Sequence, residues 1–510
     1  MKNTLVSFGL ICLCCLWILG CKGVDPQPGP EPEPTPTPTP EPTTDPRPFP
    51  IHEDGEPYDT YKGLIMAGYQ GWFGTPGDGS PLTAGGAWYH YGNNGMFAPG
   101  VLRNSIDFWP DTEEYDKTYT VEKTGRSSPF ILPDGSYAKV FSSYDEETVM
   151  LHFRWMQEYG LDGVWMQRFV SEIRSANNKD HFDKVLRSAM KASNQYQRAI
   201  AVMYDMSGWT TADGLNPIVD DAAALMQEYQ LKDRSVQKYY LHENGKPMLG
   251  LWGLGLADNS HPLPSVVKPL IAKLRQQGWS IFLGVPGYWR DGIYDCVSGA
   301  EHETLLELIR QSDGFFPWMV GRYDAASFAG DSWQNRIKSD IETANAYSSE
   351  GHTVSYAAHI FPGFCDRNMY PDHFKGAPDA TRTGFRNGGQ FYWDQFYSNI
   401  SAGAESIYVG MFDEMDEGTA IFKQLQVSDL PANSFAGMSY WVSYSSSGSY
   451  SMSASKPSGD YVWSEPATSL RVTFQGIDNG KGSDWYLFLT GEARKMFRGE
   501  TSVRQELPKR

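Results

Sequence analysis

Short apolar runs alternate with longer amphipathic stretches along most of this chain. Eight apolar runs predict buried strands at 64–69, 163–167, 199–204, 247–252, 281–285, 315–319, 354–357 and 407–411. The stretches between and after them predict helices at about 145–159, 178–193, 218–230, 264–277, 301–312, 331–348, 388–402 and 484–498. Strands that are apolar on both faces and alternate with helices form parallel sheets covered on both sides. Eight such units predict an α/β fold, a TIM-type (β/α)₈ barrel.

A doubly wound open sheet would show the same alternation, but no G-x-G-x-x-G motif follows the first strand. The helix at 145–159 has the clearest ends. Ser143 and Glu146 predict a capping box at its start, and Gly160 is expected to end it. Because the motif of the open sheet is missing, the barrel is the preferred interpretation of the apolar pattern.

Two long segments interrupt the alternation. Residues 74–144, rich in Gly, Pro, Trp and Tyr, separate the first strand from its helix, so we expect a long loop at the mouth of the barrel. Residues 424–482 follow the last strand, and their alternating Ser and Tyr predict a small β-rich insertion before the last helix. That helix would then close a single domain over 51–500.

The first fifty residues predict export. A lysine at position 2 precedes an apolar stretch that ends Ile18-Leu19-Gly20-Cys21, which resembles the lipobox of bacterial lipoproteins. The resemblance implies a signal peptide at 1–20 and lipidation of Cys21; an ordinary secretory signal is the alternative. Residues 21–50 form a proline-rich linker, typical of an extended stalk. We expect a protein lipid-anchored to the bacterial outer membrane, at the cell surface or the periplasmic face.

Composition limits which cross-links and which binding partners are expected. Outside the signal region only Cys296 and Cys365 remain, which excludes a disulfide scaffold and leaves one bridge between them open. The net charge of −18 argues against nucleic acid and anionic membrane surfaces. Aromatic residues make up 14% of the chain, which fits either a large core or sugar-stacking surfaces, because the C–H faces of a pyranose pack on aromatic rings.

The candidate chemistry follows the eighth strand. Residues 412–419 read Phe-Asp-Glu-Met-Asp-Glu-Gly-Thr. Two glutamates three residues apart can place two carboxyls around one scissile bond, as glycoside hydrolysis requires, and barrel enzymes carry catalytic residues at this end of their strands. We predict that Glu414 and Glu417 are catalytic. The acidic loop lacks the D-x-D-x-D-G spacing of a Ca²⁺ site, so no metal or other cofactor is predicted.

Other strand ends carry aromatic and hydrogen-bonding side chains. Taken singly, each could be a satisfied position of the barrel core; together they resemble a saccharide cleft. The predicted substrate-binding residues are Tyr69, Trp72, Trp165, Gln167, Asp205, Trp252, Trp318, Arg322, His359 and Asp413.

Several of these motifs resemble glycoside hydrolase family 99 and its relatives, including family 71. Residues 68–76, Gly-Tyr-Gln-Gly-Trp-Phe-Gly-Thr-Pro, are similar to the family's Tyr-Tyr-x-Trp-Tyr-Gly-x-Pro. Residues 200–205 end in an acid like the family's third strand, and 362–366 and 386–392 are similar to Pro-Gly-Tyr-x-Asp and Arg-x-Asn-Gly-x-Tyr-Tyr. Residues 413–419 are similar to Asn-Glu-Trp-His-Glu-Gly-Thr. The resemblance covers about 60–425 and the closing helix. Within it, the chain looks closest to Bacteroidetes lipoproteins labelled xylosidase/arabinosidase.

The resemblance implies a retaining (β/α)₈ enzyme acting on α-linked glycans, notably α-mannosides. It implies that Glu414 acts on the 2-hydroxyl of the sugar in subsite −1, which attacks the anomeric carbon and gives a 1,2-anhydro sugar. It implies that Glu417 is the general acid/base. Met415 and Asp416 stand where the family has Trp and His, which makes this subsite more acidic.

We therefore predict a retaining glycoside hydrolase, endo-acting on a mannan-like glycan. Its partners are an oligo- or polysaccharide and, through the lipid anchor alone, a membrane; we expect a monomer. One alternative is a carbohydrate-binding lipoprotein without turnover. Another is a glycosidase that uses the same pair as a conventional nucleophile and acid/base. No G-x-S-x-G, H-E-x-x-H or Walker motif supports an esterase, metalloprotease or NTPase.

Overall fold

A computed structural model describes residues 49–99, 103–349, 351–366, 368–370, 386–432, 441–444, 450–453 and 474–510. The predicted signal peptide, Cys21 and almost all of the proline-rich linker lie outside these residues. Within them, no helix has the length and apolar character needed to cross a membrane.

Eight parallel strands form a closed ring. They are β1 Ile65–Tyr69, β2 Gly163–Phe169, β3 Ala199–Asp205, β4 Lys246–Trp252, β5 Ser280–Pro286, β6 Gly314–Trp318, β7 Ser355–Ile360 and β8 Ser406–Val409. Each strand pairs with the next along the chain, and β8 pairs with β1. The predicted (β/α)₈ barrel is confirmed, and the open doubly wound sheet is wrong.

Eight longer helices lie between and after the strands. They are α1 Glu146–Tyr159, α2 Ala176–Tyr196, α3 Ala212–Glu228, α4 Pro264–Gln277, α5 Gly299–Gln311, α6 Asp331–Asn345, α7 Gln390–Ser401 and α8 Trp485–Phe497. The largest difference from the sequence is at α3, which begins six residues before the predicted start. Oγ1 of Thr211 accepts from the Gly214 amide and caps the helix there, and Pro217 lies within the helix.

The start of α1 also differs from the prediction. Asp145, not Ser143, is the residue before the first helical turn, and it makes no side-chain cap. Its carboxylate instead accepts hydrogen bonds from Lys117 and Tyr119 of the long insertion. The predicted capping box is therefore wrong, whereas Gly160 ends the helix in the left-handed conformation as expected.

The chain divides into two compact units. One comprises Asp45–Gly437 with Ser469–Arg510 and contains the barrel. The other comprises Met1–Thr44 with Met438–Thr468, and its described part is a pair of antiparallel strands, Trp441–Tyr444 and Tyr450–Ser453. This pair lies in the segment predicted to be β-rich.

A stack of four aromatic rings fills the barrel interior. Trp165 stacks on Phe282 with ring centres 4.6 Å apart, Phe282 stacks on Phe316 at 5.4 Å, and Phe316 stacks on Tyr408 at 4.2 Å. The interplanar angles are 10°, 15° and 8°, and all four side chains are fully buried. Because these rings come from four different strands, they hold the strands that carry the site in a fixed arrangement.

Candidate functional site

A cavity of about 200 Å³ lies where the carboxyl ends of six strands meet. Its lining combines aromatic rings with carboxyl, amide and hydroxyl groups: Gln70, Trp72, Gln167, Phe169, Asp205, Ser207, Trp252, Trp318, Met411, Glu414 and Glu417. A larger cleft of about 660 Å³ lies elsewhere, lined mostly by charged side chains of α1 and the long insertion, with neither glutamate in its wall. The smaller cavity is the one that brings the predicted chemistry together.

Two hydrogen bonds hold the Glu414 carboxyl. Nε2 of Gln70 donates to Oε1 at 2.6 Å, and Oγ1 of Thr419 donates to Oε2 at 2.6 Å. Burial raises the pKa of Glu414 well above its ordinary value, and the charges of Glu417 and Asp416 raise it further. The two hydrogen bonds act in the opposite direction, because both stabilise the ionised form.

Glu417 has a different environment. Its side chain is partly exposed to the cavity and accepts no hydrogen bond from any described residue. Burial raises its pKa to about 8, and the charges of Asp416, Asp366 and Asp205 contribute in the same direction. Two neighbouring buried carboxyls resist carrying two negative charges at once, so the first proton is bound by the pair. The hydrogen bonds favour the charge on Glu414 and the proton on Glu417.

A tight turn carries both glutamates. The amides of Thr419 and Ala420 donate to the Glu414 carbonyl at 3.1 and 3.0 Å. Gly418 has a φ of 64°, and a Cβ there would lie 3.0 Å from backbone atoms of Cys365. Only glycine fits this turn without strain, which explains the Glu-Gly-Thr sequence.

Asp413 joins this turn to the first strand. Its two carboxylate oxygens accept from the amides of Gln70 and Gly71 at 2.7 and 2.8 Å. Because the Gln70 side chain in turn binds Glu414, Asp413 orients the Glu414 carboxyl through Gln70. Burial raises the pKa of Asp413 to about 7, and the two amides lower it.

We expect Asp413→Asn to lower kcat by about 10- to 100-fold, because an amide cannot accept from both N–H groups and Gln70 will shift. Steady-state kinetics on the predicted glycan substrate measures this. Asp394→Asn is the matched control, since Asp394 is a half-buried carboxyl with a raised pKa on α7, outside the cavity lining. Equal losses in the two variants would contradict the positioning role.

Arg386 holds the same turn from the other side. Its Nη2 donates to the carbonyls of Gly418 and Ala420, each at 2.8 Å. The guanidinium is buried, with Phe108 and Tyr486 ring centres 3.9 and 4.5 Å away. The sequence places this arginine in a motif without indicating a role. In the structure it clamps the turn that bears Glu417.

His90 of the long insertion contacts both the acidic turn and the cavity wall. Its Nδ1 lies 2.7 Å from Oδ2 of Asp416, which is completely buried. Its ring stacks on Trp72 with centres 3.8 Å apart and an interplanar angle of 4°. Asp416 Oδ1 has no hydrogen-bond partner among the described residues.

Ser207, His261 and Asp258 form a second hydrogen-bonded group at the cavity. Oγ of Ser207 lies 3.0 Å from Nε2 of His261, and Nδ1 of His261 lies 2.8 Å from the Asp258 carboxylate. The nearby amides that would have to stabilise an oxyanion are occupied. Those of Ser207, Gly208 and Trp209 donate to Asp205, Ser260 and Met206. Without a free amide to stabilise an oxyanion, the group does not form a serine nucleophile site. Ser207 instead holds the Asp205 carboxylate through its amide.

Seven of the twelve side chains predicted to act on substrate lie together in the cavity lining: Trp72, Gln167, Asp205, Trp252, Trp318, Glu414 and Glu417. The other five lie elsewhere. Tyr69 points away from the barrel interior, and its hydroxyl contacts Nδ1 of His152 on α1 at 2.8 Å. Trp165 lies deeper, in the aromatic stack.

Arg322, His359 and Asp413 are also outside the lining. Nε of Arg322 donates to Asp295 at 2.6 Å and ties two loops together. His359 is buried behind Trp318, accepts from the Met319 amide at 3.0 Å, and has a pKa lowered to about 3 by burial. These groups, like Tyr69 and Trp165, have protein partners in place of a substrate.

Four lining residues were absent from the predicted set: Gln70, Phe169, Ser207 and Met411. Each lies within two residues of a predicted one, so the rule that strand ends meet would have found them. His90 had no such signal, because it lies in a loop without periodicity.

Two further expectations concern metals and disulfides. In the part of the chain that the structure describes, no group of three or more His, Cys, Asp or Glu side chains is placed to hold a metal ion. Cys296 and Cys365 are buried thiols that are not joined by a disulfide.

Neither a protein-family model nor a curated protein sequence matches the chain. Among solved structures, the endo-α-mannosidase of glycoside hydrolase family 99 from Bacteroides thetaiotaomicron is similar. Its complex with bis-tris propane gives a TM-score of 0.51 at 14% identity, covering 86% of this chain and 99% of that one. A second structure of the enzyme gives the same score and identity, covering 86% and 98%. This chain has the family 99 fold. The predicted relationship to that family is thus confirmed at the level of fold, and the structural neighbours are glycoside hydrolases.

Proposed function

We propose that this protein is a retaining glycoside hydrolase that cleaves an α-linked, mannan-like glycan in endo mode. The observation that supports it best is the pair of carboxyls in the cavity. Glu414 is held by two hydrogen bonds that favour its charge, whereas Glu417 has none and a pKa raised to about 8. One carboxylate and one carboxylic acid beside aromatic walls are the groups that glycoside hydrolysis needs.

In the proposed first step, Glu414 takes the proton of the sugar 2-hydroxyl, and O2 attacks the anomeric carbon. The glycosidic bond breaks as Glu417 gives its proton to the leaving oxygen, and a 1,2-anhydro sugar forms. In the second step, Glu417 takes a proton from water, whose oxygen attacks the anomeric carbon. The bond from that carbon to O2 breaks, and O2 recovers its proton from Glu414. Two displacements give net retention.

The aromatic walls support a sugar ligand. Trp252 and Trp318 meet edge to face with ring centres 5.2 Å apart, and Trp72 stands near Phe169 at 5.6 Å. The indole N–H groups of Trp72 and Trp252 are buried and have no partner among the described residues. Such rings can pack on sugar C–H faces while their N–H groups bind hydroxyls.

A panel of α- and β-linked glycans tests this function, with products analysed by mass spectrometry beside Glu417→Ala. We expect cleavage of an internal α-linkage by the wild-type protein and nearly none by the variant. Glycan binding by both proteins without cleavage would instead support a carbohydrate-binding lipoprotein.

A 2-deoxy substrate separates the two catalytic routes, because attack by the 2-hydroxyl requires that group and a conventional glutamate nucleophile does not.

The pH profile should follow the carboxyl pair. Glu417 is active as an acid, so activity should be present below its pKa of about 8 and fall as the pH rises through that value. On the acid side, activity should fall when the pair binds a second proton, well above the ordinary carboxyl range. Measuring kcat/KM from pH 4 to pH 10 checks both limbs; a constant rate up to pH 10 would contradict the proposed acid.

We also propose that lipidation of Cys21 attaches the protein to the outer membrane. Fractionation of cells that express Cys21→Ala tests this, because the variant should leave the membrane fraction.

A further inference from the structure

Asp416 is a buried acid placed between the two catalytic glutamates. Its side chain has no exposure to solvent, and only one of its oxygens has a hydrogen-bond partner among the described residues, Nδ1 of His90 at 2.7 Å. A carboxylate without a counter-charge is costly at such a position. Histidine is the side chain that supplies a positive charge near neutral pH.

We propose that His90 and Asp416 form a charge pair that sets the proton affinity of Glu417. His90 is then a positioning residue that acts through Asp416 and does not touch the reacting atoms. The inference rests on the proposed role of Glu417 as acid/base, and it adds a residue that belongs to no motif of the sequence.

The charges around Glu417 make this pair effective. Asp416 is the largest electrostatic contribution to the raised pKa of Glu417, ahead of Asp366 and Asp205. Asp416 also raises the pKa of Glu414. Since these charges are all negative, a positive charge on His90 would offset the strongest of the three.

Other titratable groups also lie near the pair. Asp413, Tyr370 and Tyr89 interact electrostatically with Asp416. On the histidine side, the Tyr89 ring lies 4.7 Å away at 79°, and His181 of α2 interacts with His90 electrostatically. His181 has a pKa lowered to about 4 by burial, so it is neutral where the enzyme would work. His90 is thus the histidine that is placed to balance Asp416.

Stacking on Trp72 fixes the imidazole. The two rings are nearly parallel at 3.8 Å, and Trp72 lines the cavity. A protonated imidazole gains a cation–π contribution from this indole. The wall of the cavity therefore holds the imidazole in place against Asp416.

Two substitutions should move Glu417 in opposite directions. His90→Gln keeps a hydrogen-bond donor and removes the positive charge, so Glu417 should hold its proton to higher pH. Asp416→Asn keeps an acceptor and removes the negative charge, so Glu417 should lose its proton at lower pH. The double variant should follow Asp416→Asn, because His90 acts only through Asp416.

The first measurement needs no substrate. A water-soluble carbodiimide with glycinamide modifies protonated carboxyls, and peptide mass spectrometry gives the pH midpoint of labelling at Glu417. We expect a shift of about 1 pH unit upward in His90→Gln and downward in Asp416→Asn. His90→Arg, which keeps a charge that can stack on Trp72, should restore the midpoint. His302→Gln is the control, since His302 on α5 donates to the Trp289 carbonyl at 2.8 Å and is outside the cavity lining.

The second measurement is the basic limb of kcat/KM, which should shift in step with the labelling midpoint. Shifts of the same sign in both variants, or none in His90→Gln, would overturn the charge pair. If labelling shifts as expected and no glycan is cleaved, the charge pair stands and the hydrolase proposal fails. If glycans are cleaved and the midpoints do not move, the hydrolase proposal stands and the charge pair fails. Thermal unfolding of each variant identifies any that fail to fold, and Asp416→Asn and His90→Arg then carry the test.

Discussion

Glu417→Ala should lose about 100- to 10,000-fold in kcat on a natural glycan, because the leaving oxygen then departs without a proton. The loss should depend on the leaving group. A glycosyl fluoride or a nitrophenyl glycoside needs little protonation, so its first step should proceed at near the wild-type rate. The intermediate should then accumulate, because no base activates water, and azide should accelerate its breakdown.

Rates on one natural and one activated substrate, with and without azide, check this result. Product stereochemistry adds a control, since a glycosyl azide of retained configuration places azide on the face that water normally attacks. An equal loss on both substrates would contradict the role of Glu417 as general acid.

Glu414→Gln should lose activity on natural and activated substrates alike, by about 100- to 10,000-fold. The amide cannot take the proton of the 2-hydroxyl, and leaving-group ability does not replace that step. Folding should survive, because the glutamine oxygen can accept from Gln70 while its nitrogen donates to Thr419.

Thermal unfolding provides the control for Glu414→Gln. The substitution removes a buried carboxyl that is close to two others, so we expect an unchanged or higher Tm together with the lost activity. A variant that retains more than about a tenth of the wild-type kcat on both substrates would contradict the assignment of the base, given the size of acid–base contributions.

The sequence predicted the barrel and the place of its paired glutamates for one physical reason. Apolar runs mark buried strands, and the carboxyl ends of parallel barrel strands meet at one face. This rule places Glu414 and Glu417 with Trp252, Trp318 and Asp205, and the structure brings all five to one cavity.

The same rule could not give the depth or direction of a strand side chain. Trp165 and Gln167 face the same way on β2, yet Trp165 lies one layer deeper, in the aromatic stack. Tyr69 is next to Gly68, which faces the interior, so its own side chain faces α1. The register between strands sets these layers, and apolar periodicity does not reveal register.

The sequence did not predict the roles of His90 and Arg386, because both lie in loops without apolar periodicity. His90 reaches Asp416 from 326 positions earlier in the chain. Arg386 reaches the glutamate turn from the segment before α7. Only the folded loops bring these residues to the carboxyls, so their roles follow from the structure alone.

The hydrogen bonds from the amides of Gln70 and Gly71 to Asp413 join groups more than 340 positions apart, across the seam where β8 meets β1. Contacts of such long sequence separation form late in folding. A chain that has not yet added its eighth strand has neither the glutamates nor the anchor that orients them. Under the proposed function, hydrolysis would begin only when the ring closes, and the appearance of activity during refolding would report when β8 joins β1.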